Sequence, residues 1–97
     1  MILEFGTFTL DTGERVLRRG GKPVPLTPKT FDILLVLVQQ SGRVLTKQEI
    51  MERVWPDAVV EESNLARQVS TLRKILGQAG QQIETIPWRG YRFNGAV

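Results

Sequence analysis

Ser63, Arg67, Ser70, Thr71 and Lys74 recur on one side of the segment 62–77, ESNLARQVSTLRKILG, and no other cluster in the sequence is so well suited to binding chemistry. All five are hydrogen-bond donors, two are long cations, and no acid stands among them. An ordinary solvated helix face mixes both signs, with Glu four residues before Lys. Short hydroxyls beside long cations suit a surface pressed against a polyanion: the hydroxyls allow close approach while guanidinium and ammonium groups reach base edges. On this pattern alone, a solvated face and a nucleic-acid-reading face stand as alternatives. Arg73 points sideways from the same face, and its length lets it reach past the helix edge to grip a phosphate.

Other chemistries are removed by what the sequence lacks. It has neither cysteine nor histidine, hence no disulfide framework, thiol nucleophile or zinc knuckle, and not the commonest general base. Glu61-Glu62 is the only adjacent acidic pair, too little to hold a nuclease metal and more simply a partner for a helix N-terminal dipole. We therefore expect a non-enzymatic chain with no metal, no cofactor and no small-molecule substrate. No apolar run approaches the roughly 18 residues that span a bilayer, and the N-terminus lacks a signal-peptide pattern, so a cytoplasmic location is expected. A sensing part anchored in a membrane elsewhere in a parent protein is compatible with this.

Charge is placed unevenly. The net charge is +3. Up to Glu62 there are eight Lys/Arg against nine Asp/Glu; from Ser63 onward there are five against Glu84 alone. A basic last third points to a polyanionic partner bound by one face.

The elements that must position these side chains follow from periodicity. Leu65, Val69, Leu72 and Leu76 share a narrow stripe opposite Arg67, the buried seam of an amphipathic helix. Upstream, residues 1–26 alternate and turn at Thr12-Gly13 and Gly20-Gly21, which predicts a meander of three or four short antiparallel strands, with Pro23 and Pro25 confining the last to an edge. Thr27-Pro28 opens a helix as N-cap and N1. That helix is apolar on two sides through Phe31, Ile33, Leu34, Val36, Leu37 and Val38, so it is sandwiched between layers. Gly42 to Leu45 is a short extended piece. Thr46-Lys-Gln-Glu49 is a capping box opening a helix that ends at Trp55-Pro56, where Trp55 plugs the core. Residues 57–61 form a short acidic connection with exposed valines. After a polar loop at 78–82, residues 83–94 read as a β-hairpin with Trp88 and Arg89 at its tip and Arg92 on the return strand.

A capped helix, a basic amphipathic helix and a hairpin, in that order, make a winged helix-turn-helix. Such a domain is α+β: a small N-terminal sheet, a three-helix core over 27–77 and a C-terminal wing, spanning 1–97 as one unit. In this geometry the second helix of the pair enters the major groove of double-stranded DNA and the wing reaches the adjacent minor groove or backbone.

The motifs resemble the OmpR/PhoB-type DNA-binding domain of bacterial transcriptional regulators, and most nearly its ToxR/CadC-like branch. The resemblance is carried by Thr27-Pro-Lys-Thr-Phe-Asp-Ile-Leu-Leu, Gly42-Arg-Val-Leu-Thr-Lys-Gln-Glu, Val54-Trp55, Leu72-Arg-Lys-Ile-Leu and Ile83-Glu-Thr-Ile followed by Arg89-Gly-Tyr-Arg-Phe93. It implies a four-stranded N-terminal sheet and sequence-specific promoter binding. It also implies tandem protomers on direct repeats, and RNA polymerase touching the connection 57–61. Family contacts fall on Arg67, Ser70, Thr71, Arg73, Arg89 and Arg92. Many relatives carry arginines where this chain has Ser70 and Thr71, and Pro87-Trp88 replaces a Gly- or Arg-bearing approach to the wing. Trp88 has three readings: packed on a sugar, set against a neighbouring protomer, or covering the core. No receiver domain with an acidic phosphorylation pocket lies in these residues, which read as an effector domain of phosphorelay signalling whose sensing part lies elsewhere. The alternative is a winged-helix module that docks proteins through Val59, Val60 and Trp88.

Overall fold

The computed structural model describes all 97 residues. The chain opens with β1 (Ile2–Phe5), β2 (Phe8–Asp11), β3 (Val16–Arg19) and β4 (Lys22–Val24), an antiparallel sheet in the order β1-β2-β3-β4. The run 4–11, read from sequence as one alternating stretch, is two strands and not one. Gly6 takes a φ of 56°, open to glycine and strained for most side chains, and the chain reverses there. Phe5 and Phe8 become cross-strand partners with rings stacked 5.5 Å apart. β4 lies at the sheet edge, the position open to a strand whose Pro23 has no N–H to donate.

Three helices follow: α1 (Pro28–Gln39), α2 (Lys47–Val54) and α3 (Glu62–Leu76). Thr27 caps α1, its hydroxyl accepting the Thr30 N–H. The capping box of α2 is complete: Thr46 Oγ1 accepts from the Glu49 N–H at 3.0 Å and Glu49 Oε1 from the Thr46 N–H at 3.2 Å. The second bond, followed by attraction to Arg43, holds the Glu49 carboxyl below the usual carboxylate range. α1 buries Phe31, Ile33, Leu34, Leu37 and Val38 and packs against both other helices, as its two-sided apolar pattern requires. Trp55 packs half-buried against the same core.

A 3₁₀ segment, Gly77–Gln82, replaces the expected plain loop and leads into β6 (Ile83–Ile86) and β7 (Gly90–Phe93). β7 is also joined by β5 (Leu45–Thr46), giving a second sheet in the order β5-β7-β6. The hairpin is therefore fastened to the start of α2 as well as to itself. The two sheets meet at Phe5 and Phe93, whose rings pack edge to face at 5.4 Å.

One polar thread crosses this core. Thr30 is buried; its hydroxyl lies 2.8 Å from that of Thr27 and donates to Gln68 Oε1 at 3.1 Å. Gln68 Nε2 in turn donates to Asn64 Oδ1 at 2.8 Å. The N-terminus of α1 thus holds the middle of α3 by a chain of side-chain bonds, which resists rotation of α3 about its own axis more specifically than apolar packing does.

Candidate nucleic-acid interface

The seam of α3 is buried at all four expected positions, Leu65, Val69, Leu72 and Leu76. Burying that stripe forces the opposite face outward, and Ser63, Arg67, Ser70, Thr71 and Lys74 are all exposed. The side chains of Arg67 and Lys74 have no hydrogen bond or ion pair within the chain, so both cations are free to act on a ligand. The Thr71 hydroxyl donates to the Arg67 carbonyl at 3.1 Å, which leaves its oxygen as an acceptor toward solvent. The Ser63 hydroxyl lies 3.5 Å from a Glu61 carboxylate oxygen, a weak contact.

Arg73 behaves differently. Its Nε and Nη2 donate to the Ile83 carbonyl at 3.1 and 2.7 Å, and Nη2 also donates to Thr85 Oγ1 at 2.8 Å. The guanidinium lies 5.9 Å from the centre of the Tyr91 ring. This arginine brackets α3 to β6, and only Nη1 is without an internal partner. Behind it, a Cβ on Gly80 would fall 2.3 Å from the Arg73 carbonyl oxygen, so the 3₁₀ segment passes closely enough over α3 to require glycine. Replacing Arg73 with Met, which keeps most of the stem, should lower stability by about 1.5–3 kcal/mol, because a charge-assisted pair of bonds is lost and a half-buried carbonyl is stranded. Urea unfolding measures it; a change below about 0.5 kcal/mol would show that the bracket is idle.

On the hairpin, Arg89 is exposed at the tip with no side-chain partner inside the chain. Its carbonyl accepts the Lys47 N–H at 3.1 Å. Arg92 Nε donates to Glu84 Oε1 at 3.2 Å, its cross-strand neighbour, and its two Nη atoms have no partner inside the chain. Trp88 is fully exposed. Of its three sequence readings, covering the core is therefore excluded: the turn 87–89 points the indole away from the fold.

Two hollows flank α3, and four of the expected residues, Ser70, Arg73, Lys74 and Arg89, line them. Near its C-terminus, Ser70, Arg73 and Lys74 line a shallow hollow with Gly77, Gly80 and Gln81. Near its N-terminus, Glu62 shares a second hollow with Lys47, Gln48, Trp88 and Arg89. Lys47 was missed from sequence, where Thr46 to Glu49 reads only as a cap. Its Nζ lies 3.8 Å from Glu62 Oε2. The signal was available, since a cation at the first helical position is opposed by the helix dipole and calls for another reason. The chain holds no cluster of three or more potential metal ligands.

A model described as "Transcriptional regulatory protein, C terminal" matches residues 21–93. The chain is 36% identical over 95 residues to the transcriptional regulator HilA of Salmonella typhi, covering 96% of this chain and 17% of HilA. It spans less than half the length of the curated relatives it matches. Among solved structures, the DNA-binding domain of Escherichia coli CadC superposes with a TM-score of 0.83 at 28% identity, covering 95% of this chain and 90% of that one. The DNA-binding domain of Klebsiella pneumoniae RstA, solved in complex with the RstA box, superposes with a TM-score of 0.80 at 26% identity, covering 96% of each.

Proposed function

Because the chain belongs to the family of transcriptional regulatory protein C-terminal domains, the OmpR/PhoB type, we propose that residues 1–97 act as one unit that binds promoter DNA by sequence. α3 lies in the major groove and the β6–β7 wing at the neighbouring minor groove. The observation that carries this is the exposed face of α3: acid-free from Ser63 to Lys74, held outward by a fully buried seam, with Arg67 and Lys74 free of internal partners. Ser70 and Thr71 are short enough to let the helix approach base edges and hydrogen-bond them. Arg73 holds the wing with Nε and Nη2 and turns Nη1 to a phosphate. Arg89 enters the minor groove, where narrow A·T-rich stretches deepen the negative potential, and Arg92 supports it from the return strand. The RstA complex supports this reading, since a domain of the same fold there binds a DNA box.

Two further partners belong to the proposal. A second protomer on a tandem site fits the resemblance and the small size of the domain. RNA polymerase contacts the connection 57–61, which with α2 frames a hollow lined by Met51, Trp55, Ala58, Val59 and Val60; Val59 is fully exposed, a poor state for an apolar side chain without a partner. The protein acts in the cytoplasm, where promoter DNA is, and no helix of the structure is long and apolar enough to cross a membrane.

Arg67 provides the direct test. A preferred duplex is first selected from random sequence. On it, Arg67→Ala should weaken binding by about 1–3 kcal/mol and relax preference at one base position. The thermal midpoint should stay put, since the side chain is exposed. Equal losses on selected and random duplexes would make Arg67 a phosphate contact and sink its base-reading role.

A further inference from the structure

We propose that Trp88 is itself a DNA contact, laying the face of its indole on a deoxyribose of the strand that the wing follows. This rests on the proposed DNA-binding reading and adds to it a residue that the cationic pattern does not include.

Two observations single Trp88 out. Only two non-glycine residues in the chain have positive φ, Arg15 at 57° and Trp88 at 66°. For bulky side chains this conformation is strained, and it persists where something else offsets it. At Arg15 the offset is visible: Nη2 bonds Asp32 Oδ1 at 2.6 Å, and the guanidinium sits 4.7 Å from the centre of the Phe31 ring. At Trp88 only the backbone of the turn does so: the Arg89 N–H donates to the Ile86 carbonyl at 3.0 Å and the Arg89 carbonyl accepts from the Lys47 N–H at 3.1 Å, which fixes the turn and leaves the side chain itself without a contact. The indole makes no hydrogen bond and no ring contact, and it is 100% exposed. The other tryptophan, Trp55, packs against the core. The turn thus holds a large apolar ring in water at a place where glycine or asparagine would serve the backbone better, and a surface outside the fold is what such a ring can serve.

The surroundings indicate which partner. Arg89 follows directly, and Lys47 shares the hollow that Trp88 borders. The one acid in that hollow, Glu62, is already paired with Lys47. An apolar plate between two cations matches the DNA backbone, in which each deoxyribose presents carbon atoms between two phosphates. An apolar protein patch would match the indole and leave Arg89 without a partner. Pro87 fixes the backbone just before the indole, so the ring is aimed before binding and little ordering is needed to seat it.

The test combines a variant and a spectroscopic readout on duplexes selected from random sequence, carrying one site or two in tandem. Trp88→Gly places at this φ the residue that tolerates it best. We expect its thermal midpoint to equal or exceed that of the wild type, while affinity for the single-site duplex falls on the order of tenfold, the scale of a lost aromatic stacking contact. In a Trp55→Phe background Trp88 is the sole tryptophan, and adding the single-site duplex should protect its emission from acrylamide. The proposal is overturned by unchanged Trp88→Gly affinity on the single site, by emission that stays open to quencher, or by a fall in midpoint that tracks the affinity. Loss on tandem duplexes alone would also overturn it and make Trp88 a contact between protomers. If the wild-type chain retained no duplex at all, the DNA-binding reading itself would fail, a separate and distinguishable result.

Discussion

Affinity for the selected duplex should fall by a few hundred-fold to about a thousand-fold between about 50 and about 200 mM monovalent salt, a log–log slope of roughly −4 to −5. The slope is set by the cations that can reach phosphates. The side chains of Arg67, Lys74 and Arg89 have no internal partners, Lys47 must exchange a single carboxylate, Arg92 keeps both Nη atoms beside its bond to Glu84, and Arg73 keeps Nη1. Four to six neutralised phosphates release a corresponding number of condensed counterions, and salt opposes that release. Fluorescence anisotropy on a labelled duplex at several salt concentrations gives the slope. A value near zero would remove the phosphate-gripping model and favour the protein-docking reading built on Val59, Val60 and Trp88.

Gly90→Ala is expected to be the most damaging single methyl that can be added to the wing. Gly90 is buried and lies between two strands, paired with Thr46 of β5 and with Ile86 of β6. A Cβ there would stand 2.0 Å from the Leu45 carbonyl oxygen and 3.0 Å from the Lys47 nitrogen. Both are backbone atoms, so relief requires β5 to separate from β7. We expect a loss of about 3 kcal/mol or more, seen as a fall of at least about 12 °C in thermal midpoint for a domain of this size. Gly13→Ala is the control: its Cβ would meet only the Asp11 carboxylate at an ordinary 3.5 Å, and little change is expected. If the two variants melted together, β5 would not be the anchor of the wing.

Elements governed by neighbours in the chain were legible in the sequence. Thr27 and the Thr46/Glu49 pair cap helices because the bonds they make span three residues, and the α3 seam follows from turn geometry alone. The exposed positions of α3 then follow by exclusion. What escaped was set by partners distant in sequence. Residues 4–11 carry two strands because Phe5 and Phe8 share a core with Phe93, and the one sign of the reversal at Gly6 is that Phe5 falls out of phase with Phe8 and Leu10. β5 is only two residues long and exists because β7 pairs with it. Arg73 seemed a free cation because nothing nearby in sequence announces that the Ile83 carbonyl will be ten residues away and within reach. Trp88 invited a core reading on hydrophobicity; only the backbone of the turn decides that it faces outward.

The division of α3 into a seam that holds the fold and a face that does not has an evolutionary consequence. Positions 63, 67, 70 and 74 contribute almost nothing to the interior, so under the proposed DNA-reading role substitutions there are filtered by operator choice and scarcely by folding. Arg73, Gln68 and Asn64 lie on the same helix under the opposite constraint, fixed by the wing and by α1. A lineage can therefore wander through different target sequences by changing a handful of surface letters while the pose of the helix is inherited intact. Paralogues that diverge in regulon need not first acquire surplus stability to do so.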